Sequence, residues 1–193
     1  VQPWVFNVRA PYQREAERAV RHLSLIGIDR IALVQVDDSF GADGAMGALK
    51  GLESVGRKPV VHEKFDRSKP DLTPIIPKVV AANAQAVLFI GSGSMVADGI
   101  RQLRAAGSTA QAVTLSNNAS AGFVKSLGTN ARGTVISQVF PYERSMANPM
   151  VKEAMALQAA HGQGDLTPAM VEGYAAAKVL VEALRRAGPQ ITR

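Results

Sequence analysis

"IALVQVDDSFGADG", Ile31 to Gly44, is the stretch on which the fold turns. Its opening is a nearly unbroken apolar run, which reads, with Arg30, as a strand buried on both faces of a parallel sheet. The run ends in adjacent carboxylates, Asp37 and Asp38, then a hydroxyl, an aromatic ring and glycines. Such a sequence suits an acidic catalytic or metal-binding pair, or one wall of a pocket that only binds. The continuation, "ADGAMGALKGLESVG", reads as a helix that stops at Gly56.

Outward from this stretch the same alternation recurs. Upstream, "YQREAERAVRHLSLIG" places Ala16, Ala19, Val20, Leu23 and Ile26 on one helical face, with Gly27 as a stop. Downstream come the strand "KPVVHEKF" and a helical "PDLTPIIPKVVAANA", in which Pro77 lies far enough in to suggest a kink. "AVLFIG", "MVADGIRQLRAAG", "QAVTLS", "AGFVKSLG" and "GTVISQVF" continue the pattern. Helices between strands require right-handed crossovers and a parallel sheet, so the class is α/β, doubly wound. Two elements differ: "WVFNVR" (Trp4 to Arg9) reads as an isolated strand, and the tail carries two extra C-terminal helices with no strand between them. Residues 10–140 therefore read as one whole α/β lobe. Residues 1–9 and 141–193 read as fragments of a neighbour.

Composition narrows the function. Across 193 residues, 47% hydrophobic and 20% charged residues describe an ordinary globular chain, and aromatics are only 5%, so aliphatic side chains must build the core. The net charge of +6 comes from scattered basic residues without interleaved aromatics, which argues for a solvated basic face and against nucleic acid. Cysteine is absent, which excludes disulfides, thiolate nucleophiles and zinc–cysteine sites. No apolar run approaches the ~20 residues of a membrane span. The opening lacks both an initiator Met and a signal peptide, as in a mature or trimmed product.

Sheets of this class bind ligands where the strands end in carbonyl-edge loops. Those ends read "DDSFG" (37–41), "GSGS" (91–94), "SNNAS" (116–120) and "FPYE" (140–143). A phospho-acceptor site would need Asp66 as acceptor and a lysine that is missing where required. A dinucleotide loop at "GSGSMV" has Val96 where the third glycine belongs. Nucleophilic hydrolysis lacks a GxSxG elbow, and His22, His62 and His161 all lie away from strand ends. Catalytic residues, a metal and a cofactor are therefore not expected; binding is.

Taken together, the loops make the chain resemble the type I periplasmic solute-binding proteins of ABC importers, in the branched-chain amino-acid (Leu/Ile/Val) receptor branch. "FNVRAPYQREAERAVRHL" resembles that family's crossing segment into the second lobe. "IALVQVDDSFGADGAMGALKGLESVG" matches its strand, D-x-x-(aromatic)-G-x-G loop and helix, and "AVLFIGSGSMVADGIRQLRAAG", "PYE…NPMVKEAM" and "EGYAAAKVLVEALRRAG" follow in order. The resemblance implies two lobes closing on a solute, with most of the first lobe absent from this chain. It implies contacts from Phe40, Ser92 with Gly93, Ser116 with Asn117, and Tyr142, while Asp38 and Ser39 shape the first loop. Where relatives often carry an acid for a ligand ammonium, this chain has Ser116, which favours a weakly polar or carboxylate-bearing solute over a zwitterion. The implied partner is an ABC permease in the membrane and the implied location is periplasmic. Met170, Val171, Tyr174 and Val181 form an apolar stripe expected to support a homodimer. An alternative is the effector domain of a transcription regulator, which shares this lobe architecture.

Overall fold

A computed structural model describes residues 5–162 and 164–189. The chain divides into two compact units: Pro11–Ser137, and the flanking segments 5–10 and 138–189.

Within Pro11–Ser137, β1 (Ile31–Val36), β2 (Val61–Phe65), β3 (Ala86–Ile90), β4 (Gln111–Thr114) and β5 (Val135–Ile136) form one sheet in the order β2-β1-β3-β4-β5. Every pairing is parallel. The chain leaves β1 toward β2 on one side and then returns to β3 on the other, so the switch in strand order lies between β1 and β3. That is where such sheets open a crevice at their carbonyl ends.

Alternation divides the core into two layers. Ile31 and Leu33 face α1 (Tyr12–Leu25) and α2 (Ser39–Glu53), together with Leu88, Ile90 and Val113. Ala32, Val34 and Val36 face the other way, toward α3 (Ile76–Ala81), α4 (Gly93–Ala105) and α5 (Ala121–Leu127), together with Val87 and Phe89. All six residues of β1 are buried, as its apolar run requires. Each fully buried Leu, Ile, Val or Phe contributes about 1.5–3 kcal/mol, which makes the two central strands the main source of stability.

Glycine sets how closely α1 and α2 approach. A Cβ on Gly47 would lie 1.9 Å from the Gln13 carbonyl oxygen, and one on Gly51 would lie 2.4 Å from Val20 Cγ2. The helices therefore touch backbone to backbone on this face. Gly41 does the same at the start of α2, where a Cβ would fall 1.8 Å from the Val36 carbonyl oxygen.

Some local expectations need correction. Pro77 does not kink a helix: α3 is six residues long and Pro77 sits in its first turn, where a missing N–H costs nothing. Ile26 leaves the buried face of α1 and is 59% exposed, because the helix ends at Leu25. β5 keeps only Val135 and Ile136 of the long run "GTVISQVF". Trp4 lies outside the described residues, and Val5–Arg9 form no strand; among the described residues their unit holds no sheet to supply a ladder partner.

The flanking unit contains α6 (Pro149–His161) and α7 (Pro168–Ala187), the two extra helices. Asn148 caps α6 by accepting from the Met150 and Val151 N–H groups, and Thr167 caps α7 by accepting from Met170 N–H. Val171 is fully buried, and Tyr174 is half-buried and donates to Glu153 at 2.8 Å. The stripe Met170, Val171, Tyr174 and Val181 is therefore not a continuous exposed patch, although Met170 and Val181 remain exposed, and a homodimer through it is not supported.

Candidate functional site

The candidate residues other than Tyr142 lie at the carbonyl ends of β1, β3 and β4, around the switch in strand order. At β1, Asp38 is the N-cap of α2. Its Oδ1 accepts from Gly41 N–H at 2.9 Å, satisfying an otherwise unpaired helical donor. The other oxygen, Oδ2, accepts from Arg67 Nε at 2.5 Å. That guanidinium holds the Asp38 carboxyl below its ordinary range; the Gly41 N–H adds to the effect, and burial opposes it. Asp37 forms a separate, exposed ion pair with Lys64 at 3.0 Å. Each member of the acidic pair thus has its own cation, as suits loop shaping. Among the described residues, no three Asp, Glu or His side chains converge as metal ligands would.

Ser39 is exposed in the first turn of α2. Phe40 is half-buried and meets Tyr12 edge-on, with ring centroids 4.8 Å apart and planes at 90°. The Arg67 guanidinium lies 6.0 Å from the Phe40 ring centroid.

At β3, Ser92 accepts from Arg67 Nη1 at 3.2 Å. Gly93 opens α4 with φ +50, a conformation that suits glycine, and its N–H is committed to Asn118 Oδ1 at 2.8 Å. At β4, Asn117 Nδ2 donates to the Gly91 carbonyl at 2.9 Å, while its Oδ1 is buried and accepts no hydrogen bond. Asn118 also donates to Gly91 O at 3.1 Å and to Thr114 Oγ1 at 2.9 Å. Thr114 in turn donates to Phe89 O at 3.0 Å. The β3 and β4 ends are therefore stapled together by buried carboxamides. Ser116 donates through both its N–H and its hydroxyl to Glu15 of α1, the second at 2.9 Å, and Ser137 Oγ also donates to that carboxylate.

Asp38, Phe40 and Ser92 are thus joined through Arg67, and Ser116 and Asn117 adjoin the β3 end through Gly91 and Asn118. Tyr142 is 55% exposed and lies in the flanking unit. Arg67, Tyr12, Glu15 and Asn118 are the residues that sequence reasoning missed. Arg67 had a signal: "DRSKP" directly follows β2 and forms the loop at another carbonyl end of the parallel sheet. Asp66, next to it, folds back onto the Ser68 N–H and hydroxyl and the Lys69 N–H, which holds its carboxyl below the ordinary range. It serves its own turn.

Comparisons with known proteins agree with this geometry. The family model described as periplasmic binding protein matches residues 1–193. A substrate-binding periplasmic protein from Ralstonia solanacearum superposes with a TM-score of 0.85 at 32% identity, covering 100% of this chain and 55% of that one. An extracellular ligand-binding receptor from Verminephrobacter eiseniae gives 0.75 at 30% identity, covering 97% of this chain and 54% of that one. A structure from Rhodopirellula baltica described as a possible leucine/isoleucine/valine-binding protein gives 0.84 at 26% identity, with 97% and 52% covered. The chain spans about half the length of these proteins.

Proposed function

The chain belongs to the periplasmic binding protein family, and from that premise we propose that it forms part of the extracytoplasmic solute-binding component of an ABC importer. Residues 10–140 act as the second lobe, and 1–9 with 141–193 belong to the first. The whole receptor closes on a small amino-acid-like or aromatic-acid solute, delivers it to a permease in the membrane and performs no chemistry on it. No helix among the described residues is long and apolar enough to cross a membrane.

The observation that carries this reading is the gathering of Phe40, Ser92, Ser116 and Asn117 at neighbouring strand ends beside the switch in strand order. Their loops are tied together by Arg67, Gly91 and Asn118. A ring, hydroxyls and a buried carboxamide oxygen suit a small polar guest with an apolar body. An uncompensated carboxylate would cost several kcal/mol in a closed site, and Asp38 is compensated.

Titration calorimetry of the full-length gene product against amino acids and aromatic acids tests the proposal. Saturable binding of one class, weakened by Phe40→Ala and Ser92→Ala, is the expected result. Turnover of a solute that depends on Asp37 would overturn it.

A further inference from the structure

Arg67 is the group at this site whose placement is hardest to explain as surface decoration. It follows the edge strand β2, where an arginine can point freely into solvent. Instead, the guanidinium reaches across the end of β1 to the loop of β3, bonding Asp38 at 2.5 Å and Ser92 at 3.2 Å while lying 6.0 Å from the Phe40 ring centroid. Three side chains expected to bind or frame a solute converge on it, two from the β1 end and one from the β3 end.

We propose that Arg67 is a ligand-binding residue that holds a carboxylate of the solute, so that the receptor takes organic acids. The proposal rests on the solute-receptor reading above. A guanidinium has five N–H donors in a planar fork. Nε is committed to Asp38 and one Nη1 hydrogen to Ser92, which leaves three donors on its outer edge in the geometry that carboxylates bind in pairs. Ser92 accepts from Arg67, so its own hydroxyl proton is available to donate. The β1–β3 junction therefore offers donors beside an aromatic face. An anionic head joined to an apolar body fits that arrangement. Asp38 fixes the fork by two anchors, since its other oxygen is held by Gly41 N–H, and so orients the guanidinium before any ligand arrives.

Calorimetry on the full-length protein, with phenylacetate and phenylacetamide and with leucine and leucinamide as matched probes, decides the matter. At least one acid is expected to bind, and Arg67→Gln is expected to weaken it about 10- to 100-fold, the loss of a charge-assisted hydrogen bond. Arg67→Lys keeps the charge without the fork and recovers part of that loss. Either amide, whose neutral head offers no charge to the guanidinium, is expected to lose less than its acid on Arg67→Gln. An acid that binds Arg67→Gln as tightly as wild type overturns the assignment and leaves the receptor reading intact, as does a receptor that binds only the amides. If no solute of any kind binds, the receptor reading itself fails and takes this assignment with it. Should Arg67→Gln not fold, Arg67→Lys decides alone, since an unchanged affinity for the acid overturns the role.

Discussion

Glu15 and Ser116 are joined across 101 residues of chain: the buried carboxylate accepts from the Ser116 N–H and, at 2.9 Å, from its hydroxyl. The contact ties the start of α1 to the end of β4, so a helix outside the strand-end loops positions one of their hydroxyls. Hydrogen bonds to a charged group are worth about 1.5–3 kcal/mol each, and unpaired buried donors cost a similar amount. Glu15→Ala is expected to destabilise the protein by about 2–4 kcal/mol in urea melts, and Glu15→Gln by less, because the amide still accepts. A Glu15→Ala variant as stable as wild type would mean that Ser116 is held by its own backbone alone.

Asn118 staples the neighbouring strand ends. Its Oδ1 accepts from Gly93 N–H while Nδ2 donates to Gly91 O and Thr114 Oγ1, all in a position only 2% exposed. Asn118→Ala leaves the Gly93 donor unmatched, and about 2–4 kcal/mol of stability is expected to go with it. Asn117→Ala removes only the Gly91 bond, which Asn118 still makes, so its stability cost stays near 1 kcal/mol. Denaturant midpoints of the two variants give the comparison directly, and equal losses would show that Asn118 is not the staple.

The contrast between these two asparagines shows how much of the molecule is legible in its sequence. Buried strands announce themselves: Ile31–Val36 and Ala86–Ile90 are apolar throughout because both faces are covered. Their ends locate the loops, and hence Phe40, Ser92, Ser116 and Asn117. Which polar residue turns inward is not written in the same way, since "SNN" carries no mark that separates Asn118 from Asn117. Glu15 is harder still, because its partners Ser116 and Ser137 come from distant elements and a lone helical acid normally reads as solvated. Short elements blur for a different reason: β5 keeps two residues and α3 six, lengths at which neighbours and prolines outweigh propensity.

Close packing of α1 on α2 gives a steric prediction. A Cβ at position 47 would lie 1.9 Å from the Gln13 carbonyl, an atom that cannot swing aside as a side chain can. Gly47→Ala is expected to separate the helices and cost about 1–3 kcal/mol, despite the better helix propensity of alanine. Gly122 in α5 meets nothing within 4 Å, so Gly122→Ala is the control, neutral or stabilising by up to about 1 kcal/mol. Equal thermal midpoints for the two variants would contradict the backbone contact.

Asp38 carries a pH signature of its contact with Arg67. The arginine hydrogen bond is the largest cause of its depressed pKa, followed in the same direction by the Gly41 N–H. The unfolded chain takes up that proton at a higher pH than the folded one, so the contribution is complete above about 3.8 and disappears as pH falls through the lower folded value. Arg67→Gln is expected to move the Asp38 carboxyl back toward 3.8, read from its carbon chemical shift. No movement would mean that the pair is not formed in solution.

His62 works in the opposite pH range. Its Nε2 lies 2.6 Å from Oε1 of Gln35, a buried polar residue of β1. Burial lowers its pKa from 6.5, with help from the Lys64 charge, while Glu63 opposes the shift. Between the folded value and 6.5 the unfolded chain binds more protons than the folded one, so stability rises with pH across that window and is complete above it. Falling pH is therefore expected to weaken the protein below about 6.5, before the carboxylates begin to titrate near 4. The ring is only partly buried, which keeps the effect small. Urea melts between about pH 8 and pH 5 should show this slope in wild type and a flatter line in His62→Gln. A slope that persists unchanged in the variant would assign it to other groups and leave the Gln35 contact without electrostatic consequence.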